Sequence, residues 1–257
     1  MQKIWVCGAR GQIGQAVNDV VDKLEFEMLD TDVDDLDVTD TDEVLRFGEM
    51  NRPDIIINCS GMTDISSCEE NPSQAFKVNA LGARNLAIVA AKMQAKMVQL
   101  STDDVFDGKS TEPYTEFDIT NPGTVYGKSK LAGENYVKEF TTKHFIVRST
   151  WVYGKGQNFI NGFLKKVDAG EQLSIASDQF GSPTSANELA RFLLHLVHTS
   201  EYGTYHATNK GVCSRYAFAQ EILKMTGKTA SMQPVPTVMS DFSKVRPAYA
   251  VLDNFIM

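Results

Sequence analysis

The sequence predicts an α/β fold, a doubly wound parallel sheet with a smaller C-terminal lobe. Short apolar runs alternate with longer segments of helical period over residues 1–150. One run, residues 54–59, contains three consecutive Ile, which is typical of a strand buried on both faces. Beyond residue 150 the pattern changes, with the loop-like stretch "GTYHATNKG" and several Pro between residues 233 and 247. Repeated strand–helix–strand units form a parallel sheet covered by helices on both faces.

The individual elements follow from composition and spacing. Strands are predicted at residues 3–7, 26–29, 54–59, 97–100 and 145–148. Helices are predicted at residues 12–24, 42–50 and 128–140, and a further long helix begins at Pro72. Proline suits the first turn of a helix because the N–H group that it lacks has no helical partner there. The apolar stripe of this helix consists of Ala75, Val78, Leu86 and Val89.

The composition excludes several classes of function. The chain has 25 Lys and Arg against 33 Asp and Glu, a net charge of −8, and no local basic patch, so we expect neither nucleic acid nor membrane as a partner. No apolar run reaches the ~18 residues of a membrane helix and we find no signal peptide, so we expect a cytoplasmic protein. The four Cys and four His lack metal-ligand spacing, so we expect no metal site.

A glycine-rich turn follows the first predicted strand. The stretch "GARGQIG" has the spacing G-x-x-G-x-x-G, which allows a tight turn and lets a pyrophosphate approach the N-terminus of the next helix. This placement predicts dinucleotide binding. The cofactor-binding residues expected at the turn are Gly8, Arg10, Gly11, Gln12, Ile13 and Gly14.

Two charged residues near this turn bear on the choice of cofactor. Asp30 ends the second predicted strand, about 20 residues after the turn, where a carboxylate binds the adenosine ribose and favours NADH. Arg10 favours NADPH instead, because a guanidinium can bind the 2′-phosphate. The preference is therefore for NADH, with use of NADPH left open. Asp37, farther along the same acidic run, is expected near the adenine; the run itself does not have the Gly and Glu positions of an EF-hand.

A second motif, "YGKSK", places Tyr126 and Lys130 on one face of a helix. A phenol with a pKa near ~10 is a poor acid–base group at neutral pH, and a neighbouring ammonium lowers that pKa. We therefore expect Tyr126 to shuttle a proton and Lys130 to assist it while also holding the ribose hydroxyls of the cofactor. Thr102, at the end of the preceding strand, and the glycine turn together favour this functional interpretation of the Tyr–Lys pair.

Five motifs carry a resemblance to a known family. The stretches "STDDVFDG", "VYGKSKLAGE", "RSTWVYG", "DQFGSPTSA" and "RPAYAVLD" resemble the successive signatures of dTDP-4-dehydrorhamnose reductases, extended members of the short-chain dehydrogenase/reductase superfamily. The resemblance spans nearly the whole chain. It implies an oxidoreductase that uses NADH or NADPH to reduce the 4-keto group of a nucleotide-linked 6-deoxyhexose, the last step of dTDP-L-rhamnose synthesis for cell-surface polysaccharides.

The resemblance also implies an architecture and a set of site residues. Residues 1–150 would form a Rossmann-like NAD(P)-binding domain and residues 151–257 mainly a substrate-binding lobe, with a segment near residues 178–200 returning to the first domain. In this reading Tyr126 donates a proton to the reduced carbonyl oxygen, with Thr102 and Lys130 as its catalytic partners. Further residues implied are, for the sugar, Thr63, Asp103 and Trp151, and for the cofactor, Asn58, Ser60, Gly61 and Asn79.

The sequence departs from the family pattern at three places. Asp104 stands where the family has Tyr, and we expect it to accept a substrate hydroxyl or to be an exposed group at the end of the loop. The segment "NCSGMTD" replaces an Ala-rich stretch, which alters the floor of the site. The chain ends at "VLDNFIM", where relatives commonly continue into a closing helix, so the substrate lobe is expected to be less complete.

These departures keep two alternatives open. Related nucleotide-sugar 4,6-dehydratases carry two successive carboxylates at the position of Asp103 and Asp104, so a dehydratase or an epimerase with retained NAD is one alternative. A non-catalytic regulatory subunit on the same fold is the other. The expected partner is a nucleotide sugar, and the oligomeric state is open, with a homodimer as the assembly to test.

Overall fold

The computed structural model describes residues 1–239 and 246–256. Its strands are β1 (Gln2–Cys7), β2 (Phe26–Thr31), β3 (Ile55–Asn58), β4 (Lys96–Thr102), β5 (His144–Ser149), β6 (Val152–Tyr153), β7 (Leu173–Ala176), β8 (Phe180–Gly181), β9 (Thr184–Ser185), β10 (Gly203–His206), β11 (Cys213–Ser214), β12 (Met232–Val235) and β13 (Tyr249–Ala250). Its α-helices are α1 (Gln12–Val20), α2 (Thr41–Asn51), α3 (Ile65–Glu70), α4 (Pro72–Phe76), α5 (Ala83–Met93), α6 (Val125–Phe140), α7 (Phe159–Asp168), α8 (Ala186–Val197) and α9 (Arg215–Thr226).

One parallel sheet organises the described part of the chain. Its strand order is β10-β5-β4-β3-β1-β2, and each neighbouring pair is parallel. The order reverses between β1 and β3, because the chain runs outward from β1 to β2 and then crosses back to β3. Ligands of doubly wound sheets bind at the carboxyl ends of the strands at such a reversal. The predicted α/β fold with a doubly wound sheet is confirmed.

Helices cover both faces of this sheet. The side chains of each strand alternate between the two faces and are apolar on both, so both faces must be buried. Ile4 and Val6 of β1 face a core cluster that includes α1 and α8. Trp5 and Cys7 face the opposite cluster, which includes α2, α5 and the end of α6 at Val137. Successive side chains of a strand point to opposite faces, so a strand that is apolar throughout is buried on both sides.

The C-terminal part of the chain contributes to this sheet and also forms a separate small core. Helix α8 packs on α1, and β10 pairs with β5. A further cluster of buried side chains joins α7, α9 and β7, with Phe163, Leu173 and Ile222 at its centre. Three small sheets accompany it, in the orders β11-β8-β13, β12-β7 and β6-β9. The division of the chain into two domains at residue 150 stays a prediction.

Several element boundaries differ from those predicted from the sequence. Helix α6 begins at Val125 rather than at residue 128, because the Thr124 side chain accepts a hydrogen bond from the Gly127 amide and caps the helix. The long helix predicted from Pro72 consists of α4, a π-helical turn (Lys77–Gly82) and α5. Helix α3 was not predicted, and Asp64 caps it by accepting from the Ser67 amide. No helix among the described residues combines the length and apolar character of a membrane span.

A buried ion pair joins α6 to β5. Glu134 accepts hydrogen bonds from Arg148 Nε (2.9 Å) and Nη2 (2.7 Å) and from the Ser101 hydroxyl (2.5 Å). Burial opposes the charge of Glu134, yet the Arg148 guanidinium and the Ser101 hydroxyl keep its pKa below the ordinary value. Glu134 therefore stabilises the fold when it is ionised, and this contribution is present above the ordinary glutamate pKa and is lost as the pH falls through the lowered pKa.

Arg148→Met is expected to reduce the free energy of unfolding by about 3–5 kcal/mol, because it leaves Glu134 buried without its partner. Urea unfolding at pH 7 measures the loss. The double variant Glu134→Gln/Arg148→Met is expected to recover part of it, because the uncompensated charge is then absent.

Lys138→Met is the matched control, since Lys138 Nζ lies 3.8 Å from the same carboxylate on a half-exposed side chain. Its loss is expected to stay below about 1 kcal/mol. Equal losses in Arg148→Met and Lys138→Met would contradict the structural importance of the buried pair.

Candidate functional site

The glycine-rich turn lies at the reversal of the sheet, between β1 and α1. Gly8 has a φ of 76°, and a Cβ atom added there would lie 2.8 Å from the backbone nitrogen of Ser60. A Cβ added at Gly14 would lie 2.4 Å from the carbonyl oxygen of Gly8. Gly11 caps α1 without a side-chain hydrogen bond, so no side chain occupies the first amides of the helix. This cradle of glycines at a helix N-terminus fits a dinucleotide pyrophosphate.

The side chains of Gln12 and Ile13 hold the turn in place. Gln12 Nε2 donates to the Val152 carbonyl (3.0 Å), and Gln12 Oε1 accepts from Asn158 Nδ2 (3.0 Å). Ile13 packs against the core cluster that contains α1 and α8. Both side chains thus have protein partners, and their predicted contact with a cofactor stays a prediction.

The carboxylate that touches the glycine turn is Asp32, which the sequence reasoning missed. Asp32 Oδ2 accepts from the Arg10 amide (2.8 Å), while Arg10 Nη2 lies 3.0 Å from Asp34. Asp30 instead accepts from Asn18 Nδ2 (2.9 Å) and lines a surface groove beside Lys23. Asp32 belongs to the acidic run at the end of β2, so the sequence offered it as a candidate. The expected spacing of about 20 residues from the glycine turn selected Asp30 instead.

Asp30 and Asp37 are therefore both engaged with protein groups. Partial burial raises the pKa of Asp30 above its ordinary value. Asp37 is exposed, and its Oδ1 accepts from the Thr39 amide (2.8 Å) in a local turn. The predicted contacts of Asp30 with the ribose and of Asp37 with the adenine stay predictions.

The loop after β3 packs against both the glycine turn and α6. Asn58 Oδ1 accepts from the Ser60 amide (3.0 Å) and hydroxyl (2.6 Å), which fixes the start of the loop over Gly8. Asn79 accepts from the Met62 amide (2.8 Å) and donates to the Met62 carbonyl (2.9 Å), which fixes its other end. Asn58 and Asn79 thus position the loop through side-chain hydrogen bonds.

Three predicted site residues lie around a fourth, Gly61. A Cβ atom added at Gly61 would lie 3.0 Å from Asn79 Oδ1, 3.8 Å from Lys130 Nζ and 3.9 Å from Thr63 Cγ2. Asn79 Nδ2 also donates to the Ser129 hydroxyl (2.9 Å), which ties this cluster to α6. The structure therefore places Lys130 at the loop that borders the glycine turn, as a cofactor-binding role requires.

Helix α6 approaches its neighbours closely through two glycines. A Cβ added at Gly127 would lie 2.0 Å from the Asp104 carbonyl oxygen, and one added at Gly133 would lie 2.4 Å from the Asn79 carbonyl oxygen. Neither position can accept a side chain without a shift of backbone. This contact brings Tyr126, in the first turn of α6, to the 3₁₀ turn (Asp103–Val105) that follows β4.

Tyr126 and Thr102, both predicted to be catalytic, lie side by side at the end of β4. Burial and the charge of Asp104 raise the pKa of Tyr126 above its ordinary value, while Arg246 and a hydrogen bond from Thr102 oppose the rise. The expectation that Lys130 lowers this pKa is wrong, because the phenol is buried beside carboxylates and its stabilising cation is Arg246. Tyr126 consequently keeps its proton at neutral pH.

Lys130 is buried, and its charge is destabilised by that burial. The pKa of Lys130 falls to about 8, although Glu134 and Cys59 act to raise it. Its ammonium is therefore close to its titration range at mildly alkaline pH. A group that binds the ribose hydroxyls as a cation would lose its charge as the pH rises through this value.

Two adjacent carboxylates, Asp103 and Asp104, are buried beside Thr102. Thr102 Oγ1 donates to Asp103 Oδ1 (2.9 Å), and Arg246 Nη1 donates to Asp104 Oδ2 (2.7 Å). Burial raises the pKa of both carboxyls, and the charge of Asp103 raises that of Asp104 further. The expectation of an exposed Asp104 is wrong: its exposure is 0 %, because Arg246 covers it.

Trp151 lies beyond this acidic pair with a strained backbone. Its φ is 45°, in the left-handed region that bulky residues rarely occupy, and such strain concentrates at functional sites. The guanidinium of Arg215 lies over the indole, 3.4 Å from the ring centroid. A Cβ added at Gly181 would lie 2.5 Å from Trp151 Cε2. Arg215 covers one face of the indole, so a sugar cannot bind there. The predicted contact of Trp151 with the sugar stays a prediction for the other parts of the ring.

Known proteins are similar to this chain over nearly its full length. The family model described as RmlD substrate binding domain matches residues 1–256. The chain is 35 % identical over 255 residues to the spore coat polysaccharide biosynthesis protein SpsK of Bacillus subtilis, covering 99 % of this chain and 90 % of that protein.

Two solved structures are also similar along nearly the full chain. The dTDP-4-dehydrorhamnose reductase of Clostridium acetobutylicum is 42 % identical with a TM-score of 0.96, over 99 % of this chain and 91 % of that one. The dTDP-4-dehydrorhamnose reductase of Bacillus anthracis, solved in complex with NADP, is 37 % identical with a TM-score of 0.94, over 100 % and 91 %. The chain therefore belongs to the dTDP-4-dehydrorhamnose reductase family, as its five motifs indicated.

Proposed function

We propose that this protein reduces the 4-keto group of a nucleoside-diphosphate-linked 6-deoxyhexose, converting dTDP-4-dehydrorhamnose to dTDP-L-rhamnose with NADH or NADPH. The observation that carries the proposal is the meeting of Thr102 and Tyr126 at the end of β4, next to Lys130 at the loop over the glycine turn. Similar proteins are named for this reaction, and one of them was solved with NADP.

The residues of the site have separate tasks in this reaction. The bound nicotinamide supplies the hydride that reduces the carbonyl carbon. Tyr126 donates its proton to the oxygen that becomes negative, and its raised pKa keeps that proton available at neutral pH. Thr102 would donate to the same oxygen by turning its one hydroxyl proton away from Asp103, and the charge of Arg246 would stabilise the phenolate that remains. Lys130, whose Nζ lies beside Gly61, would hold the ribose of the cofactor.

The cofactor would lie along the carboxyl edge of β1 and β3. Gly8, Gly11 and Gly14 leave room for its pyrophosphate at the N-terminus of α1, with Ser60 on the other side of the turn. Asp32 and Arg10 border the place where the adenosine ribose would lie, so we add Asp32 to the residues that choose between NADH and NADPH.

The direct test is the consumption of NADH or NADPH by the purified protein in the presence of dTDP-4-keto-6-deoxyhexose. The two alternatives give different outcomes in the same assay. A dehydratase or epimerase would retain NAD through purification and release no net oxidised cofactor, and a regulatory subunit would show no turnover. The cytoplasmic location and a homodimeric assembly stay predictions, which cell fractionation and sedimentation can check.

Tyr126→Phe is expected to lower kcat by about 10²–10⁴-fold, because the variant cannot donate a proton to the developing alkoxide. Its affinity for NADPH is expected to stay within about twofold, since the hydroxyl is aimed at the substrate. Steady-state kinetics and fluorescence titration with NADPH measure the two quantities. Tyr136→Phe, a half-buried tyrosine on the same helix, is the control and should keep its activity. Unchanged kcat in Tyr126→Phe would remove this residue as the donor.

The affinity for NADPH is expected to fall as the pH rises through about 8, because Lys130 loses its charge there. Lys130→Met is expected to bind about tenfold more weakly at pH 7, the loss of a charge-assisted hydrogen bond, and to show no change through pH 8. Titrations between pH 7 and pH 9.5 test both points. The exposed Lys128 provides the control Lys128→Met, which should follow the wild-type curve. An unvarying wild-type affinity over this range would contradict the assigned role.

A further inference from the structure

Arg215 is a buried cation that has no role in the proposed reaction. It is the first residue of α9, its exposure is 5 %, and its amide donates to the Gln179 carbonyl (2.9 Å). Among the described residues its Nε has no hydrogen-bond partner, and no carboxylate lies within ion-pair distance. A buried charge without a partner is costly, so the position of this guanidinium requires a physical reason.

Its aromatic neighbours account for only part of that requirement. The guanidinium lies 3.4 Å from the ring centroid of Trp151 and 4.7 Å from that of Phe159. Stacking on aromatic rings stabilises a cation and fixes the plane of a guanidinium, but it leaves the N–H donors at its edge unused. Burial and the nearby charge of Arg246 lower the pKa of Arg215 to about 9, although Asp103 acts to raise it.

Arg215 lies in the region of the reactive groups. Asp103 attracts it electrostatically. Arg246 is the other cation of this region, and it is already hydrogen-bonded to Asp104 at 2.7 Å. The unused donors of Arg215 are therefore available to an anion that enters the cleft beside Trp151.

We propose that Arg215, held flat against Trp151, binds the diphosphate of the nucleotide-sugar substrate. This inference rests on the proposed function, in which the diphosphate is the anionic part of the sugar substrate. The keto carbon and the diphosphate stand on opposite sides of the sugar ring, which suits a cation on α9 that contacts Trp151 rather than Tyr126. The pyrophosphate of the cofactor has its own cradle at Gly8, on β1. A planar guanidinium binds phosphate oxygens in pairs, which fixes the orientation of the substrate.

Arg215→Gln tests this assignment, because it removes the charge and retains a polar side chain of similar length. The dissociation constant of dTDP is expected to rise about ten- to hundredfold, the loss of one charge-assisted contact, while those of thymidine and NADPH stay within about twofold. The KM for the keto sugar should rise by a similar factor and kcat should change by less than about threefold. Isothermal titration and steady-state kinetics provide these values.

Arg191→Gln is the matched control, because Arg191 is exposed on α8 and pairs with Glu188. It should bind dTDP as the wild type does. Unchanged dTDP affinity in Arg215→Gln overturns the proposal, and so does an equal loss for dTDP and thymidine, which would indicate a merely structural role. Binding of dTDP is independent of turnover, so dTDP binding that depends on Arg215 in a protein without reductase activity would contradict the proposed reaction and leave this inference standing.

A crystal of the wild-type protein with dTDP decides the case in which Arg215→Gln does not fold. The expected result is a phosphate oxygen within about 3.2 Å of a guanidinium nitrogen of Arg215. A diphosphate bound elsewhere in the cleft would overturn the proposal.

Discussion

The close contact of α6 with the ends of its neighbours is the constraint on which the site depends. Gly127 lies against the turn after β4, and Gly133 lies against the π-helical segment that carries Asn79. A side chain at either glycine would push the helix outward, since the nearest atoms are backbone and cannot rotate away. Tyr126 and Lys130 are one helical turn apart, so both would leave their partners together. The relative positions of these two side chains therefore depend first on backbone packing and only then on charge.

The buried charged side chains differ in how completely their charges are paired. The buried pair of Glu134 and Arg148 fixes α6 to the sheet through two hydrogen bonds, although Arg148 Nη1 has no hydrogen-bond partner among the described residues. Arg148 thus has a carboxylate beside it, whereas Arg215 has none within ion-pair distance among the described residues and remains able to bind an anion. Asp104 and Arg246 form an ion pair at 2.7 Å that joins the turn after β4 to the C-terminal segment, while Asp104 Oδ1 has no hydrogen-bond partner among the described residues.

Much of the fold and part of the site could be predicted from the sequence. The alternation of apolar runs and the spacing of Gly8, Gly11 and Gly14 depend on local physics, and the structure has the corresponding sheet and turn. The pKa of Tyr126 could not be predicted, because it depends on carboxylates and an arginine far apart in the chain. The burial of Asp104 and the Nε of Arg215, unpaired within the described residues, were missed for the same reason. Residue type and spacing do not show which charged side chains lie against one another in the folded chain.

The π-helical turn at Lys77–Gly82 makes the chain sensitive to the loss of a residue in this segment. A π-helical turn holds one residue more than an α-helical turn, and Asn79 lies inside it. Deleting one residue here would restore regular helical winding and rotate everything on one side of the cut by about 100° relative to the other. Asn79 would then turn away from the loop at Met62, and the loop would lose the anchor that keeps it over Gly8. A chain one residue shorter in the π-helical turn could therefore not keep Asn79 in its present position.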